Sequence, residues 1–198
     1  MQGRSGLSTL TAGNTVLDAG AVYLNIGITE LEDASAADPI ADAIGVSGCV
    51  KLGGTRGGNS FSPNRVIRQM PVDGAIGPIK SFNRRQSSAP TLTVNMLELT
   101  TDNLTNAIAA ANVATAGQFT KITGGPVEDT DYIDNVALVT TIKGETLPFV
   151  LVLFNALALE APTFQTADED EMVLSVTFAA HVTAADPNTE AFAIYRPT

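Results

Sequence analysis

Apolar and polar residues alternate most regularly just after the middle of the chain. There Thr91, Thr93 and Asn95 point one way and Leu92, Val94 and Met96 the other. A period of two marks a half-buried strand. The same pattern predicts a strand over 16–28, where Tyr23, Asn25 and Gly27 alternate with Leu24, Ile26 and Ile28. It predicts another over 173–182, where Ser175, Thr177 and His181 alternate with Leu174, Val176, Phe178 and Val182, pairing with 191–195 in a last hairpin. Further strands are expected over 61–69, with Pro63 demoting the start to an edge or bulge, over 79–86, and over 132–142, closed by a tight turn at Lys143-Gly144. The return strand over 149–159 is apolar on both faces except at Asn155. That implies burial on both sides or a face covered by another subunit. One helix is predicted over 101–112, capped by Thr101 or Asp102, with Leu104, Ile108 and Ala111 on one stripe. Residues 29–60, interrupted by Pro39 and several glycines, read as one long loop. About 30 residues are too many for an idle connection, so this loop is functional or ordered against a neighbour. No linker or internal repeat divides the chain, so a single domain over 1–198 is expected. The fold class is mainly β: two packed antiparallel β-sheets, a sandwich or half-barrel, with one flanking α-helix and the long loop.

Composition adds a constraint. Of 198 residues 44% are hydrophobic and 16% charged, which suits a folded core and excludes a coiled coil or an acidic disordered tail. No run approaches the roughly 18–20 apolar residues of a membrane span. The start, Met1-Gln2-Gly3-Arg4-Ser5-Gly6-Leu7, lacks the apolar stretch of a secretory signal. A soluble protein with no membrane insertion, used without export, is the expectation.

The net charge of -10 is unevenly spread. Residues 1–99 hold 8 acidic and 8 basic residues, whereas 100–198 hold 13 acidic and 3 basic. Lys51, Arg56, Arg65, Arg68, Lys80, Arg84 and Arg85 share a stretch whose only acid is Asp73. Acids gather at Glu30, Glu32, Asp33, Asp38 and Asp42, at Glu128, Asp129, Asp131 and Asp134, and at 168–171. Such polarity predicts directional association between copies; the alternative is balance within one chain and solvated loops. Sequence-directed DNA binding is not expected, because the basic stretch has no stacking aromatics around it and the protein is acidic.

Catalytic chemistry is thin. A strand would place Ser175 and Thr177 roughly 13–20 Å from His181, too far for a nucleophile and its base. The run Gly53-Gly54-Thr55-Arg56-Gly57-Gly58 lacks the Lys-Ser/Thr of a P-loop. Consecutive carboxylates at Asp168-Glu169-Asp170-Glu171 lack Ca²⁺-loop spacing and read as a solvated turn. Cys49 has no nearby His, and as the only cysteine it excludes an internal disulfide. No enzyme activity, cofactor or metal is expected.

Three runs carry a family resemblance: NSFSPNRVIRQMPVDGAIGPIKSF (59–82), PTLTVNMLELT (90–100) and DTDYIDNVALVTTIKGETLPFVLVLFNALALEAPTFQTADEDE (129–171). They resemble the major tail protein, or tail tube protein, of long-tailed non-contractile bacteriophages. The likeness extends over 16–197 and rests on whole segments and element order. It implies two packed sheets with a flanking helix. Residues 1–15, outside the likeness, are expected to form an N-terminal arm, and the immunoglobulin-like domain that some tail tube proteins carry at the C-terminus is not expected here. The likeness also implies hexameric rings stacked into a tube, about four strands per subunit lining the bore, and a long loop bridging subunits. The role implied is a structural virion protein of the tail, assembled in the host bacterial cytoplasm, that conducts DNA into the host. Its implied partners are copies of itself, the tape measure, tail terminator and distal tail proteins, and double-stranded DNA passing without tight binding. Combined with the charge pattern, this makes Arg65, Arg68, Arg84 and Arg85, against Asp129, Asp131, Asp168 and Glu169, the candidate inter-subunit residues. Thr91, Thr93, Asn95, Ser175 and Thr177 are the candidate lumen residues, their alternative being an outer solvent face. The competing readings are a tube protein of a contractile tail or type VI-like secretion machine, and a carbohydrate-binding β-sandwich. The latter ordinarily displays an aromatic platform, against 6% aromatics and no Trp here.

Overall fold

The computed structural model describes residues 15–16, 18–160, 162–164, 168 and 171–197. The N-terminal arm expected over 1–15 lies outside the described residues except for Thr15, as do Glu169 and Asp170.

In chain order the elements are β1 (Ala21–Leu24), α1 (Ile28–Leu31), α2 (Pro39–Ile44), β2 (Val50–Lys51), β3 (Ser60–Ser62), β4 (Arg65–Gln69), β5 (Asn83–Ser88), β6 (Thr91–Met96), α3 (Thr101–Ala107), β7 (Ala111–Ala116), β8 (Phe119–Gly124), β9 (Ile133–Thr140), β10 (Phe149–Ala158), β11 (Leu174–Ala179) and β12 (Phe192–Tyr195). A 3₁₀ turn at Asp129–Asp131 precedes β9. The molecule is mainly β, and every strand pair is antiparallel.

Two sheets are joined through β10. Its first part pairs with β9 and β12, Val150 opposite both Val139 and Tyr195, in a sheet that continues through β1 to β2. Its last residues, Leu157 and Ala158, pair instead with Ala179 and Phe178 of β11, which begins a second sheet continuing through β6 to β3. The change occurs at Asn155, held at φ 46°. A strand that bends between sheets in this way makes a sandwich corner. His181 braces the corner: Asn155 Nδ2 donates to the His181 carbonyl at 3.2 Å, and His181 Nδ1 lies 3.1 Å from the Asn155 carbonyl.

The larger core lies between the sheets and contains Val22, Leu24, Val136 and Leu153 from the first and Leu92, Val94, Met96, Val176 and Phe178 from the second. The opposite face of the first sheet presents Ala137, Val150 and Val152 to Ile28, Leu31, Ile40 and Ile44 of α1 and α2. Strand β10 is therefore apolar on both faces because both are covered within the chain.

Several sequence expectations are corrected. The 29–60 segment is not one loop. Asp38 caps α2, its carboxylate accepting from the Ala41 N–H at 3.0 Å with Pro39 behind it, and Leu52 is fully buried. Helices this short show no periodicity to read. The strand expected over 16–28 is confined to β1, between Gly20 at φ 76° and Asn25 at φ 56°. The 61–69 strand is split into β3 and β4 at Pro63 and Asn64, the latter at φ 40°. The helix expected over 101–112 ends at Ala107 and is capped by Thr100, whose hydroxyl accepts from the Asn103 N–H at 3.1 Å. The alanine run beyond it is drawn into β7, where Ala111 pairs with Gly124; pairing overrides helix propensity. Strand β12 pairs with β10 rather than β11, because β11 already has β10 and β6 on its two edges.

Candidate functional site

The candidate surfaces are two, and one grows out of the other. On β6 and β11, Thr93 opposes Thr177 and Asn95 opposes Ser175, so these four share one face of the second sheet with Thr91. Ser60 and Ser62 of β3 join them opposite Thr93 and Thr91. The side chains of this face on β3, β6 and β11 are polar and uncharged; at its edge Arg56, whose backbone N–H donates to the Asn95 carbonyl at 3.0 Å, pairs with Glu171. The face is knitted by Thr93 Oγ1 and Thr177 Oγ1 at 3.0 Å, by Asn95 Nδ2 donating to the Gly58 carbonyl at 2.8 Å, and by Asn64 Nδ2 donating to Thr91 Oγ1 at 3.0 Å. Positive φ at Gly57 and Gly58 lets the chain bulge over Asn95 before β3 begins.

From the edge of this sheet a hairpin arm projects. Ser62 pairs with Thr91 in β3–β6, and three residues further along each strand Arg65 pairs with Ser88 in β4–β5. The two ladders are thus one long hairpin bent at Pro63-Asn64, with a bulge between Val66 and Ile67. Every residue from 63 to 87 is exposed. The exposed set includes Val66, Ile67, Met70, Val72, Ile76, Ile79 and Phe82. Arg68 lies directly opposite Arg84 across the ladder. Like charges so placed destabilise a strand pair, and a lone two-stranded ribbon is marginal at best in water. Such an arm has the properties of a surface awaiting a cover.

Its base is fixed to the body. Glu190, just before β12, accepts from Arg85 Nη1 and from Ser88 Oγ at 2.8 Å, and pairs with Arg65 Nη2 at 3.1 Å. Arg85 Nη2 also donates to the Asn188 carbonyl at 2.9 Å. The Ser88 hydrogen bond, assisted by Arg85 and Arg65 against the opposing effect of burial, holds the Glu190 carboxyl below its ordinary range. The four candidate arginines therefore divide. Arg65 and Arg85 anchor the arm within the chain, and Arg68 and Arg84 have no ion-pair partner among the described residues. Glu190 was missed by sequence reasoning because nothing in its local pattern connects it to a segment about a hundred residues away. Of the candidate acids, Asp129 and Asp131 sit in the 3₁₀ turn before β9, where the Asp131 carboxylate accepts from the Glu128 N–H at 2.7 Å. Asp168 lies between β10 and β11, and Glu169 is outside the described residues.

A second exposed hairpin, β7–β8, had no sequence expectation of its own. Its signal was present: Gly117 at φ 65° is the first central residue of a two-residue turn between Ala116 and Phe119, as a type II′ hairpin requires.

The chemistry elsewhere is structural. The His181 ring meets Tyr132 edge-on at 5.1 Å, beyond the end of β11 and away from any Ser or Thr nucleophile geometry. Burial pushes the Cys49 thiol up, away from the reactive thiolate. Among the described residues no three His, Cys, Asp or Glu side chains gather as metal ligands, and no helix is long and apolar enough to cross a membrane. Compared with known proteins, the chain matches no family model and no curated sequence.

Proposed function

We propose that this chain is a structural subunit that polymerises with copies of itself, as the tail tube protein of a long-tailed non-contractile bacteriophage. Stacked hexameric rings would form a conduit through which DNA passes from capsid to host. The observation that carries the reading is the hairpin arm: residues 63–87 are all exposed, rich in large apolar and cationic side chains, and anchored only at the base. Exposed apolar area of this kind marks a protein–protein contact. A donor arm and a differently shaped acceptor make a heterologous contact, which propagates into rings or filaments.

The second sheet supports the same reading. It offers four strands in the order β10, β11, β6, β3, and the outward Thr, Ser and Asn side chains of β3, β6 and β11 carry no charge. Six such sheets side by side give about 24 strands at about 4.8 Å, a circle near 37 Å across before strand tilt widens it. A basic wall would hold duplex DNA by counterion release. A wall of Thr, Ser and Asn has no such grip, which suits a bore that DNA must traverse. The family's tape measure, terminator and distal tail proteins would then be its partners at the tube's axis and ends.

The reading is tested by negative-stain microscopy of the concentrated protein, alone and with tail-tip proteins as nucleators. Tubes of uniform width with a hollow axis are the expected result, together with weak, salt-sensitive binding of duplex DNA. Monodisperse single subunits under all these conditions, or tight duplex binding at physiological salt, would overturn it.

A further inference from the structure

Resting on the self-assembly reading above, we propose that the arm of one copy docks on the next copy at the apolar groove beside α1 and α2 and at the acidic hollow on its rim. The groove lies on the far side of the first sheet, floored by Leu31, Pro39, Ile40, Leu147 and Pro148, in a cavity of about 200 Å³. Tyr195 closes one wall and donates to Glu32 Oε1 at 2.7 Å, which places that carboxylate at the rim. Glu30, Glu32 and Asp33 line the adjoining hollow. From Ser5 to Val50 the sequence has no Lys or Arg, while the acids Asp18, Glu30, Glu32, Asp33, Asp38 and Asp42 fall inside it. Arg196 is the one cation lining the groove among the described residues.

The arm is the chemical inverse of this surface. Ile76, Ile79 and Phe82 supply apolar contacts toward its tip, and Arg68, Lys80 and Arg84 supply charge. The opposed Arg68 and Arg84 are relieved by carboxylates between or beside them; Glu32 stands at the groove's rim, and the hollow it shares with Glu30 and Asp33 provides two more. The second acidic cluster fits less well. Asp131 and Asp134 border a hollow whose exposed lining is mainly polar, with Asn25, Thr105, Asn106 and Thr130 at the surface over Ile108, Ile133 and Leu157. The occupant is a second copy: the Glu190 clamp fixes the direction of the arm on its own body, and 63–87 is exposed to the last residue. Complementary charge in such a contact sets register and orientation as much as affinity.

The test uses the full-length chain. A photo-crosslinking amino acid replaces Ile76 at the tip, and equal amounts of labelled and unlabelled copies are mixed before assembly so that crosslinks between chains are identified by mass. Crosslinks to peptides containing Leu31, Ile40 or Leu147 of the other copy are expected. In parallel, Arg68→Glu with Arg84→Glu, and separately Glu32→Lys with Asp33→Lys, should each lower polymer mass in sedimentation at least tenfold, and the four together should recover a large part of it. Circular dichroism checks that each variant folds. Crosslinks to 128–134 or 168–171 overturn the proposal, as do full-length tubes from the Glu32→Lys, Asp33→Lys variant. If those results come with loss of assembly on deleting the arm, self-assembly through the arm stands and only the acceptor is wrong. If the arm-deleted protein assembles like the intact one, or the intact one never assembles, both fail together.

Discussion

The β4–β5 arm and the β7–β8 hairpin are both exposed two-stranded ribbons, yet they are built to opposite ends. In β7–β8 the register runs unbroken from Ala111↔Gly124 to Ala116↔Phe119 around a tight glycine turn, and its cross-strand pairs, Val113↔Ile122 and Thr115↔Thr120, are compatible. Its only formal charge is Lys121. In the arm the register shifts at a bulge, Arg68 faces Arg84, and seven large apolar side chains stand in water. The first ribbon exposes only two large apolar side chains, Val113 and Phe119, and opposes no like charges. The second carries local conflicts of the kind a protein tolerates where another surface resolves them, and its clamp at Glu190 fixes its base alone.

Removing each ribbon separates them most sharply. Replacing 66–86 by a short turn should abolish tubes seen by electron microscopy while the melting temperature of the body stays within a few degrees. Shortening β7–β8 to its first pair should leave assembly in place; if it removes tubes as completely, the contrast is broken. Next in size is the clamp. Glu190→Gln loses its charged contacts, at a cost of about 1 kcal/mol once the half-exposed Arg65 is discounted for solvent screening. The Glu190 carboxyl is held below its ordinary value when folded, so its contribution is fully present above that ordinary value and disappears as pH falls through the depressed one. Thermal melts should therefore show wild type above Glu190→Gln at pH 7, with the gap closing as pH falls below the ordinary glutamate range. A gap that does not narrow with acidification would contradict the clamp.

Smaller still is the glycine at the tip of β7–β8. Gly117→Ala places a side chain at φ 65° and should cost about 1 kcal/mol by thermal melt, without change in assembly. The smallest effect is Arg84→Ser. Ending the opposition with Arg68 should protect the arm's amides in hydrogen exchange by a few tenths of a kcal/mol in the isolated subunit. The same change should weaken assembly, most at low salt where charge is least screened.

Much of the β framework was legible in single residues. The alternation of Thr91, Thr93 and Asn95 with Leu92, Val94 and Met96 specified both faces of β6, and Ser175 and Thr177 did so for β11, because side-chain period in a strand is set locally. Pro63 pointed to an irregularity near the start of the expected 61–69 strand, where the structure divides it in two. What was not legible had non-local causes or was too short to show a period. Asp38-Pro39 is a helix-start signal in plain view, but the six residues that follow are too few to display a stripe. Ala107 to Ala111 favour helix on propensity and lose to the pairing of Ala111 with Gly124. Of the candidate assembly residues, the sequence pointed to the basic stretch as a whole; that Arg65 and Arg85 serve the clamp and Arg68 and Arg84 face outward depends on Glu190, which the chain brings in only at the end of the fold.

The order of residues alone determined which side chains would share a sheet face, where cations and acids would be concentrated, and that no cluster of reactive groups stood close in sequence. Those are properties of spacing along one chain. Only the tertiary structure decided that β10 would leave one sheet for another at Asn155, that α1 and α2 would cover its outer face, and that the basic stretch would stand clear of the body as an arm. The reason is that backbone edges are chemically alike. Which edge meets which is settled by the combined packing of segments far apart in sequence, and no local pattern records it.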